Sequence, residues 1–175
     1  MVSLDLLSSF DGMIWLQSGK KVGELFKQHQ TTISRNQKKC AEVFGIKLQK
    51  MSNNWQPKGD SHLLQLERMV HQIARLQGKS RLRLDANRWI NSTLFNPPPS
   101  GWLISSAESA SNSHKLECLQ QRIVDACLYP LADFPIKNQH LKKIELKSKM
   151  IGVLILKEHA NQKLILDLIN KIEQA

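Results

Sequence analysis

The chain has 175 residues, enough for one ordinary domain or two small ones, and 41% of them are hydrophobic, which excludes a chain that is disordered throughout. Its formal net charge is +10, and residues 1–90 contain 15 Lys and Arg against 7 Asp and Glu, whereas residues 91–175 contain 10 against 8. We expect the first half to contact a polyanion, although a basic surface kept for solubility explains the charge equally well.

Residues 4–48 are predicted to form three short helices, because their apolar residues recur at helical spacing in pieces separated by glycines. The first helix ends at the Ser18-Gly19 break. The polar segment 29–31, between the second and third helices, is typical of a turn followed by an N-cap. The third helix is expected to run to about Phe44 and to stop at Gly45, a residue type favoured after helix ends.

The segment 49–59 is polar and is interpreted as a short hairpin, or wing. A helix is predicted from near Asp60 to Gly78, and it carries one apolar stripe at alternating steps of three and four residues. This pattern is typical of a helix that pairs with another, although the stripe could also pack on its own domain. The stripe consists of Leu63, Leu66, Val70 and Ile73.

After a strand-like stretch and a rigid proline run at 97–99, strands alternate with helices, which predicts a small α/β domain. The expected strands are 81–84, 102–104, part of 123–128 and 150–156, and the expected helices are 115–122 and 160–172.

The third helix is predicted to present a polar face rich in hydrogen-bond donors. Two short helices joined by a tight turn need a small residue where they cross, and Gly23 supplies one. Hydroxyl groups can reach phosphates or bases, arginine can fork onto guanine, and lysines can hold phosphates. The exposed face is expected to offer Thr31, Thr32, Ser34, Arg35, Lys38 and Lys39.

Residues 18–49 resemble the helix-turn-helix of LysR-type transcriptional regulators without a gap. That family pattern contains paired alanines, a leucine, Gln-Pro-Ala/Thr-Leu-Ser-Arg, a basic pair, Leu-Glu and Leu-Gly-Val-x-Leu-Phe. The matching positions here are Val22-Gly23, Phe26, Gln30, Thr32-Ile33-Ser34-Arg35, Lys38-Lys39 and Phe44-Gly45-Ile46-Lys47-Leu48. The departures are Thr31 for proline, Cys40-Ala41 for Leu-Glu, and Gln49 for the final phenylalanine.

The resemblance continues through Pro57-Lys58-Gly59 and Leu63-Leu64, which are similar to the family's wing and the start of its linker helix. In that family the linker helix is the dimerisation helix. Residues 81–84, 119–128 and 151–160 are more weakly similar to the first lobe of the family's effector-binding domain. The second lobe, which completes the ligand cleft, has no counterpart here, so no inducer pocket is carried over and any small-molecule effector is unknown.

The resemblance implies a mixed fold: an all-α winged helix-turn-helix at residues 1–60, a linker and dimerisation helix at 61–78, and a small α/β domain at 79–175. It implies a sequence-specific regulator that binds double-stranded DNA as a homodimer. The stripe on the linker helix would form the dimer interface. The implied DNA contacts are Gln30, Thr31, Thr32, Ser34, Arg35, Lys38 and Lys39, with Lys50 and Lys58 in the wing, near Asn53.

Two other interpretations remain open. The chain could be a protein-interaction module with weak or lost DNA binding, which the altered Cys40-Ala41 and Gln49 positions favour. It could also be a small-molecule-binding regulator with a reduced sensor lobe, against which the missing half of the cleft argues.

No catalytic or metal site is predicted, so we expect neither an enzyme nor a cofactor. His114, His140 and His159 are scattered, and the sequence has no glycine-rich phosphate loop and no nucleophile elbow. The three cysteines have no metal-ligand spacing, which fits a reducing compartment. Neither a signal peptide nor an apolar stretch of bilayer length is visible, so a cytoplasmic protein without membrane contact is expected.

Overall fold

The computed structural model describes residues 1–52, 54–87, 90, 94–95, 97–108, 110–133, 139–146 and 149–174. The chain divides into two units, Met1–His71 and Gln72–Ala175, with the boundary inside one helix. Both helices and a mixed sheet are present, as the predicted mixed fold class requires. The three-part division predicted from the sequence stays a proposal.

The first unit begins with three helices, in the predicted order. Serine side chains at the N-cap positions of the first two helices accept hydrogen bonds from first-turn amides, which explains where these helices start. The third helix ends just before Gly45, whose φ of +63° confirms the predicted glycine stop. The helices are α1 (Leu4–Leu16), α2 (Gly19–Phe26) and α3 (Gln30–Val43).

An antiparallel hairpin and a longer helix follow, which confirms both predicted elements. The hairpin consists of β1 (Lys47–Met51) and β2 (Asn54–Lys58), and the helix is α4 (His62–Leu76). Gly78, with a φ of +76°, lies just beyond the end of α4, as predicted. The predicted wing residue Asn53 lies outside the described residues.

The core of the first unit is built mainly on α1. Buried side chains of α2, α3 and α4 add to the buried apolar side chains of α1 in this core. Full burial of a Val, Leu, Ile or Phe side chain contributes about 1.5–3 kcal/mol relative to an exposed position. The core side chains include Leu7, Phe10, Ile14 and Trp15 of α1, Val22 of α2, Ile33 and Cys40 of α3, and Leu64 of α4.

The second unit contains a five-stranded sheet with the order β4-β3-β5-β7-β6. Strand β3 is parallel to β4 and β5, whereas β7 runs antiparallel to both β5 and β6, so the sheet is mixed. The strands are β3 (Leu82–Asp85), β4 (Trp102–Ser105), β5 (Ala126–Pro130), β6 (Leu141–Leu146) and β7 (Ile151–Leu156), and the helices are α5 (Asn112–Gln120) and α6 (Lys163–Gln174).

Strand β7 is buried along its whole length, as its run of apolar residues predicts, and α6 buries Ile165, Leu168 and Ile172 in the same core. The strand expected in part of 123–128 is β5, which begins at Ala126. The final helix was expected from residue 160 but begins at Lys163, after a short 3-10 turn, and β6 was not predicted. No helix among the described residues combines the length and apolar character needed to cross a membrane.

Candidate nucleic-acid interface

The turn between α2 and α3 depends on a glycine. A Cβ atom added at Gly23 would lie 2.7 Å from the backbone oxygen of Gln28, which is too close for a real contact. The amide of Gln28 donates to the carbonyl of Gly23 at 3.0 Å, and Lys27 between them adopts a left-handed backbone with a φ of +55°. Gly23 therefore permits the close approach that sets α3 relative to α2.

A hydrogen-bonded group around Ser9 holds α3 and the turn against α1. The Ser9 hydroxyl lies 2.8 Å from the backbone oxygen of Asp5 and 2.7 Å from Oε1 of Gln28. It also accepts a hydrogen bond from Nδ2 of Asn36 on α3 at 3.3 Å. Because Ser9 is fully buried, these bonds fix the direction of α3 and not only its distance from α1.

Helix α3 has one buried face and one exposed polar face. Ile33, Cys40 and Ala41 are buried, so the residues at the positions of the family's Leu-Glu pair fill the core. Within the part of the chain that the structure describes, no ion pair is recorded for the cations of the exposed face. The exposed residues include all the predicted DNA contacts of this helix, which are Gln30, Thr31, Thr32, Ser34, Arg35, Lys38 and Lys39, and the last turn also exposes Glu42 and Val43.

Spacing divides this exposed set further. Thr31, Arg35 and Lys38 are separated by four and three residues, so they form one line along the helix, opposite Ile33. Thr32 and Lys39, seven residues apart, lie together on one flank, and Ser34 lies on the other. Arg35 is therefore central in the exposed face, with the hydroxyl group of Thr31 before it and the ammonium group of Lys38 after it along the helix.

The hairpin register separates the two predicted wing lysines. Lys50 lies opposite Trp55, whereas Lys58 lies opposite Lys47. Because successive side chains of a strand alternate between its two faces, Lys50 and Lys58 point to opposite faces of the hairpin. Lys47, which the sequence reasoning missed, is exposed and shares the face of Lys58. The strand register was the signal that could have revealed it.

Gln17 attaches the hairpin to the end of α1. The backbone amide of Trp55 donates to Oε1 of Gln17 at 2.5 Å, and Nε2 of Gln17 donates back to the carbonyl of Trp55 at 3.3 Å. Gln17 itself has a left-handed backbone, with a φ of +58°. No local sequence pattern predicts this contact, because 38 residues separate the two partners.

Helix α4 buries polar side chains and exposes apolar ones. Arg68 is 1% exposed and pairs with Asp11 of α1 at 2.7 Å, and buried His71 lies 3.2 Å from Glu67. On the other side, the predicted stripe faces outward together with Met69. The exposed fractions are 64% for Leu63, 45% for Leu66, 37% for Met69, 46% for Val70 and 44% for Ile73.

The last turns of α4, which belong to the second unit, are held by one aspartate. Arg75 donates from Nε and Nη2 to the two carboxylate oxygens of Asp125 at 2.8 and 2.9 Å. Gln72 donates to the same carboxylate at 3.1 Å, and so does the backbone amide of Arg83 at 2.8 Å. Asp125 is buried, but its charge is paired and its oxygens are hydrogen-bonded.

A second buried polar cluster lies at the carboxyl end of β3, where open α/β sheets commonly bind ligands. Nζ of Lys115 donates to Oδ1 of Asn87 at 2.5 Å and lies 3.7 Å from Asp85, whose carboxylate accepts a hydrogen bond from Ser106 at 3.1 Å. These groups satisfy one another. Among the described residues, no group of histidine, cysteine, aspartate and glutamate side chains could hold a metal ion.

Comparison with known proteins gave matches only among solved structures. No family model matches the chain, and no curated protein matches it. The chain is similar to CrgA, a LysR-type transcriptional regulator from Neisseria meningitidis, at 16% identity and a TM-score of 0.37 over 83% of this chain and 54% of that one.

Two further structures are similar at the same level. The probable transcriptional regulator PA0477 from Pseudomonas aeruginosa has 12% identity and a TM-score of 0.37 over 82% of this chain and 53% of that one. The full-length regulator LysG from Corynebacterium glutamicum with bound effector Arg has 15% identity and a TM-score of 0.36 over 83% and 55%. The chain thus spans about half the length of these structures. TM-scores this low do not establish a shared fold.

Proposed function

We propose that the chain is a sequence-specific, DNA-binding transcriptional regulator of the LysR type that binds double-stranded DNA as a homodimer. In this proposal α2 and α3 form a helix-turn-helix, the β1–β2 hairpin is its wing, and α4 is the linker and dimerisation helix. The observation that carries the proposal is the exposed face of α3 over residues 30–39, which presents hydroxyl, amide and cationic side chains opposite a buried apolar face.

The residues of α3 fall into two proposed roles. Arg35, at the centre of the exposed face, would contact a guanine edge with its forked donors, and Thr31, Thr32, Ser34 and Gln30 would contact bases or phosphates. Lys38 and Lys39 would hold phosphates. The N-cap residue His29 makes no side-chain capping hydrogen bond, so first-turn amides of α3 stay available to a phosphate oxygen.

The wing would contact the DNA backbone from one of its two faces. One face offers Lys50 beside Trp55, and the other offers Lys58 beside Lys47. Two like charges directly opposite each other on a hairpin repel, and a phosphate between them would relieve that repulsion. We therefore propose the Lys47–Lys58 face as the stronger backbone contact.

Dimerisation is proposed through the exposed apolar stripe of α4. The polar side of this helix is occupied by ion pairs within the chain, so the apolar side is the surface left for a second copy. A twofold axis would bring the same stripe of two chains together. It would set two α3 helices in successive major grooves, about 34 Å apart, and such a dimer should prefer an inverted repeat.

Replacing Arg35 by alanine tests the interface. The operator would first be enriched by the protein from a random DNA pool, and affinities would then be measured by fluorescence anisotropy in competition with single-base variants of that operator. If Arg35 contacts a base, Arg35→Ala should weaken operator binding by about 1–3 kcal/mol and relax the preference at one base pair of each half-site.

The matched control is Arg81→Ala, since Arg81 is an exposed arginine of the second unit. This variant should bind the operator with wild-type affinity. Equal affinities of the Arg35→Ala and Arg81→Ala proteins for every DNA tested would contradict the assignment of α3 as the recognition helix.

A further inference from the structure

A cavity of about 530 Å³ opens in the second unit where α5 and β7 end and β6 begins. Its volume lies in the range of small-molecule sites, about 300–1,000 Å³. Polar groups surround the buried side chain of Leu156. We call this space the Arg122 cavity. Its polar lining consists of Gln120, Arg122, Gln139, His140, Lys157 and Glu158. It lies at the amino end of β5, apart from the Asp85–Lys115 cluster at the carboxyl end of β3.

Arg122 occupies a backbone position that favours glycine. It directly follows Gln121, the C-cap residue of α5, and its φ is +61°. A left-handed conformation costs a residue with a Cβ atom roughly 1–2 kcal/mol. The side chain is held on two sides: Nη1 donates to Oε1 of Gln72 at 2.6 Å, and Nη2 pairs with Glu158 at 2.7 Å. The guanidinium group is therefore fixed at the cavity wall.

The partner of Arg122 inside the cavity is a replaceable carboxylate. The side chain of Glu158 is 54% exposed, whereas that of Arg122 is 22% exposed. Ion pairs with so exposed a partner contribute little to stability, so the carboxylate of Glu158 can leave at small cost. Its position marks where a carboxylate or phosphate group of a ligand would contact the guanidinium group.

Further positive charge lies next to this position. A second cavity of about 540 Å³ shares Gln139 and Lys157 with the Arg122 cavity and adds Lys142 and Lys143 to its lining. Lys143 pairs with Glu145 at 2.9 Å. No acidic partner of Lys142 or Lys157 is recorded in the described ranges. These two ammonium groups favour a ligand with more than one negative charge.

We propose that the Arg122 cavity binds a small multivalent anion carrying carboxylate or phosphate groups, and that α4 senses its binding. Arg122 contacts α4 with both its side chain and its backbone. Its guanidinium group donates to Gln72, and its carbonyl accepts a hydrogen bond from Nη2 of Arg75 at 3.0 Å. An anion that shifts Arg122 must therefore disturb Gln72 and Arg75. This inference goes beyond DNA binding and does not depend on it.

The test is a nuclear magnetic resonance titration of the full chain with sodium citrate, with inorganic phosphate, and with sodium chloride at equal ionic strength. The Lys157 backbone amide and the Gln72 side-chain amide are expected to shift and saturate together with citrate, phosphate or both, but not with chloride. Saturation with citrate alone would show that the cavity prefers ligands with carboxylate groups. Saturation with phosphate alone would show that it prefers ligands with phosphate groups. Shifts that follow ionic strength without saturation would overturn the site.

Two matched variants distinguish a specific anion site from nonspecific attraction of anions to surface lysines. Lys157→Gln removes one charge from the cavity without removing any recorded contact, and should weaken the saturating anion by about tenfold. Lys171→Gln removes an exposed lysine of α6 and should leave the affinity unchanged. Equal weakening by both variants would contradict a specific site. Shifts at Lys157 without shifts at Gln72 would contradict the transmission to α4.

Discussion

The absence of a side chain at Gly23 allows the turn between α2 and α3 to adopt its observed conformation. The added methyl group of Gly23→Ala would lie 2.7 Å from the carbonyl oxygen of Gln28, and a backbone atom cannot move aside without reshaping the turn. We expect the free energy of unfolding of the first unit to fall by about 1–3 kcal/mol, measured by urea denaturation.

The matched control is Gly19→Ala in the same helix. A Cβ atom at Gly19 would have neighbours no closer than 3.8 Å, and no positive φ requires glycine there. This substitution should therefore leave stability unchanged or raise it by about 0.4–1 kcal/mol. Equal destabilisation by the two variants would show that close approach at Gly23 is not what requires glycine.

His159 makes the stability of the second unit depend on pH. Burial lowers the pKa of His159 below its ordinary 6.5, and Arg122 and Arg75 lower it further, while Glu158 and Asp125 act in the opposite direction. Well above pH 6.5 the residue is neutral whether folded or unfolded. As the pH falls below 6.5, the unfolded chain takes up the proton first, so stability falls until the lower, folded pKa is passed.

The variant His159→Gln removes this titration. Between about pH 7.5 and about pH 5, the wild type should lose more stability than the variant in parallel thermal or urea unfolding experiments. Identical pH slopes for the two proteins would contradict the lowered pKa of His159.

The cysteines should be inert in the folded protein. Cys40, Cys118 and Cys127 are buried, and none of them forms a disulfide bond. Burial, with a further contribution from the charge of Asp11, raises the pKa of the Cys40 thiol to about 12, and burial raises that of Cys127 well above its ordinary value. Because the thiolate is the reactive form, a disulfide reagent should label the native chain slowly and all three thiols after unfolding. A thiol that reacts at once in the native chain would contradict this.

At the scale of elements, α4 reverses the usual arrangement of a surface helix, because its charged side chains are buried and its apolar side chains are exposed. Its buried side carries Arg68 and Arg75, whose carboxylate partners Asp11 and Asp125 come from different parts of the sequence. Removing one member of such a pair would leave a buried charge without its partner. The apolar side is exposed instead, which supports the proposal that this helix pairs with a second copy.

A charge placed in the apolar stripe should separate the proposed dimer. Leu66→Glu would bury a carboxylate against apolar side chains, and we expect the dimer dissociation constant to rise by at least about tenfold. Gln65→Glu adds the same charge at the neighbouring exposed position and should have little effect. Sedimentation velocity over a range of concentrations measures both. A wild-type chain that stays monomeric, or equal effects of the two variants, would contradict dimerisation through α4.

The elements that the sequence predicts well have local signals. The glycine stops at Gly45 and Gly78 and the apolar run of β7 were read correctly because backbone conformation and burial depend there on neighbouring residues. Strand β6 was missed because it is an edge strand with exposed lysines, a pattern that protects sheet edges and resembles a loop.

Long-range features could not be predicted in the same way. The exposed polar face of α3 follows from helical spacing alone, so the side chains of α3 that were predicted to be exposed are exposed. The Gln17–Trp55 contact and the buried ion pairs of α4 join residues from 38 to 57 positions apart, and no local pattern announces such pairs. The same holds for the Arg122 cavity, whose lining comes from three separate segments.

At the scale of the whole molecule, the two units share α4, and each holds its own part of that helix with a buried ion pair. In the proposed dimer the first unit would contact DNA, α4 would set the spacing of the two half-sites, and the second unit would hold the anion site. Binding to nonspecific DNA through the lysines of α3 and the wing should weaken steeply as salt rises, because each neutralised phosphate releases counterions.

The most direct test is the ratio of two affinities of the wild-type protein, measured by fluorescence anisotropy at physiological salt. One DNA is the operator enriched from a random pool, and the other is its scrambled sequence. The proposal predicts an enriched inverted repeat bound with a Kd of about 10⁻⁸ M or tighter, at least about 10³-fold tighter than the scrambled DNA. A pool without an enriched sequence, and equal weak binding that vanishes as salt rises, would contradict sequence-specific DNA binding by this chain.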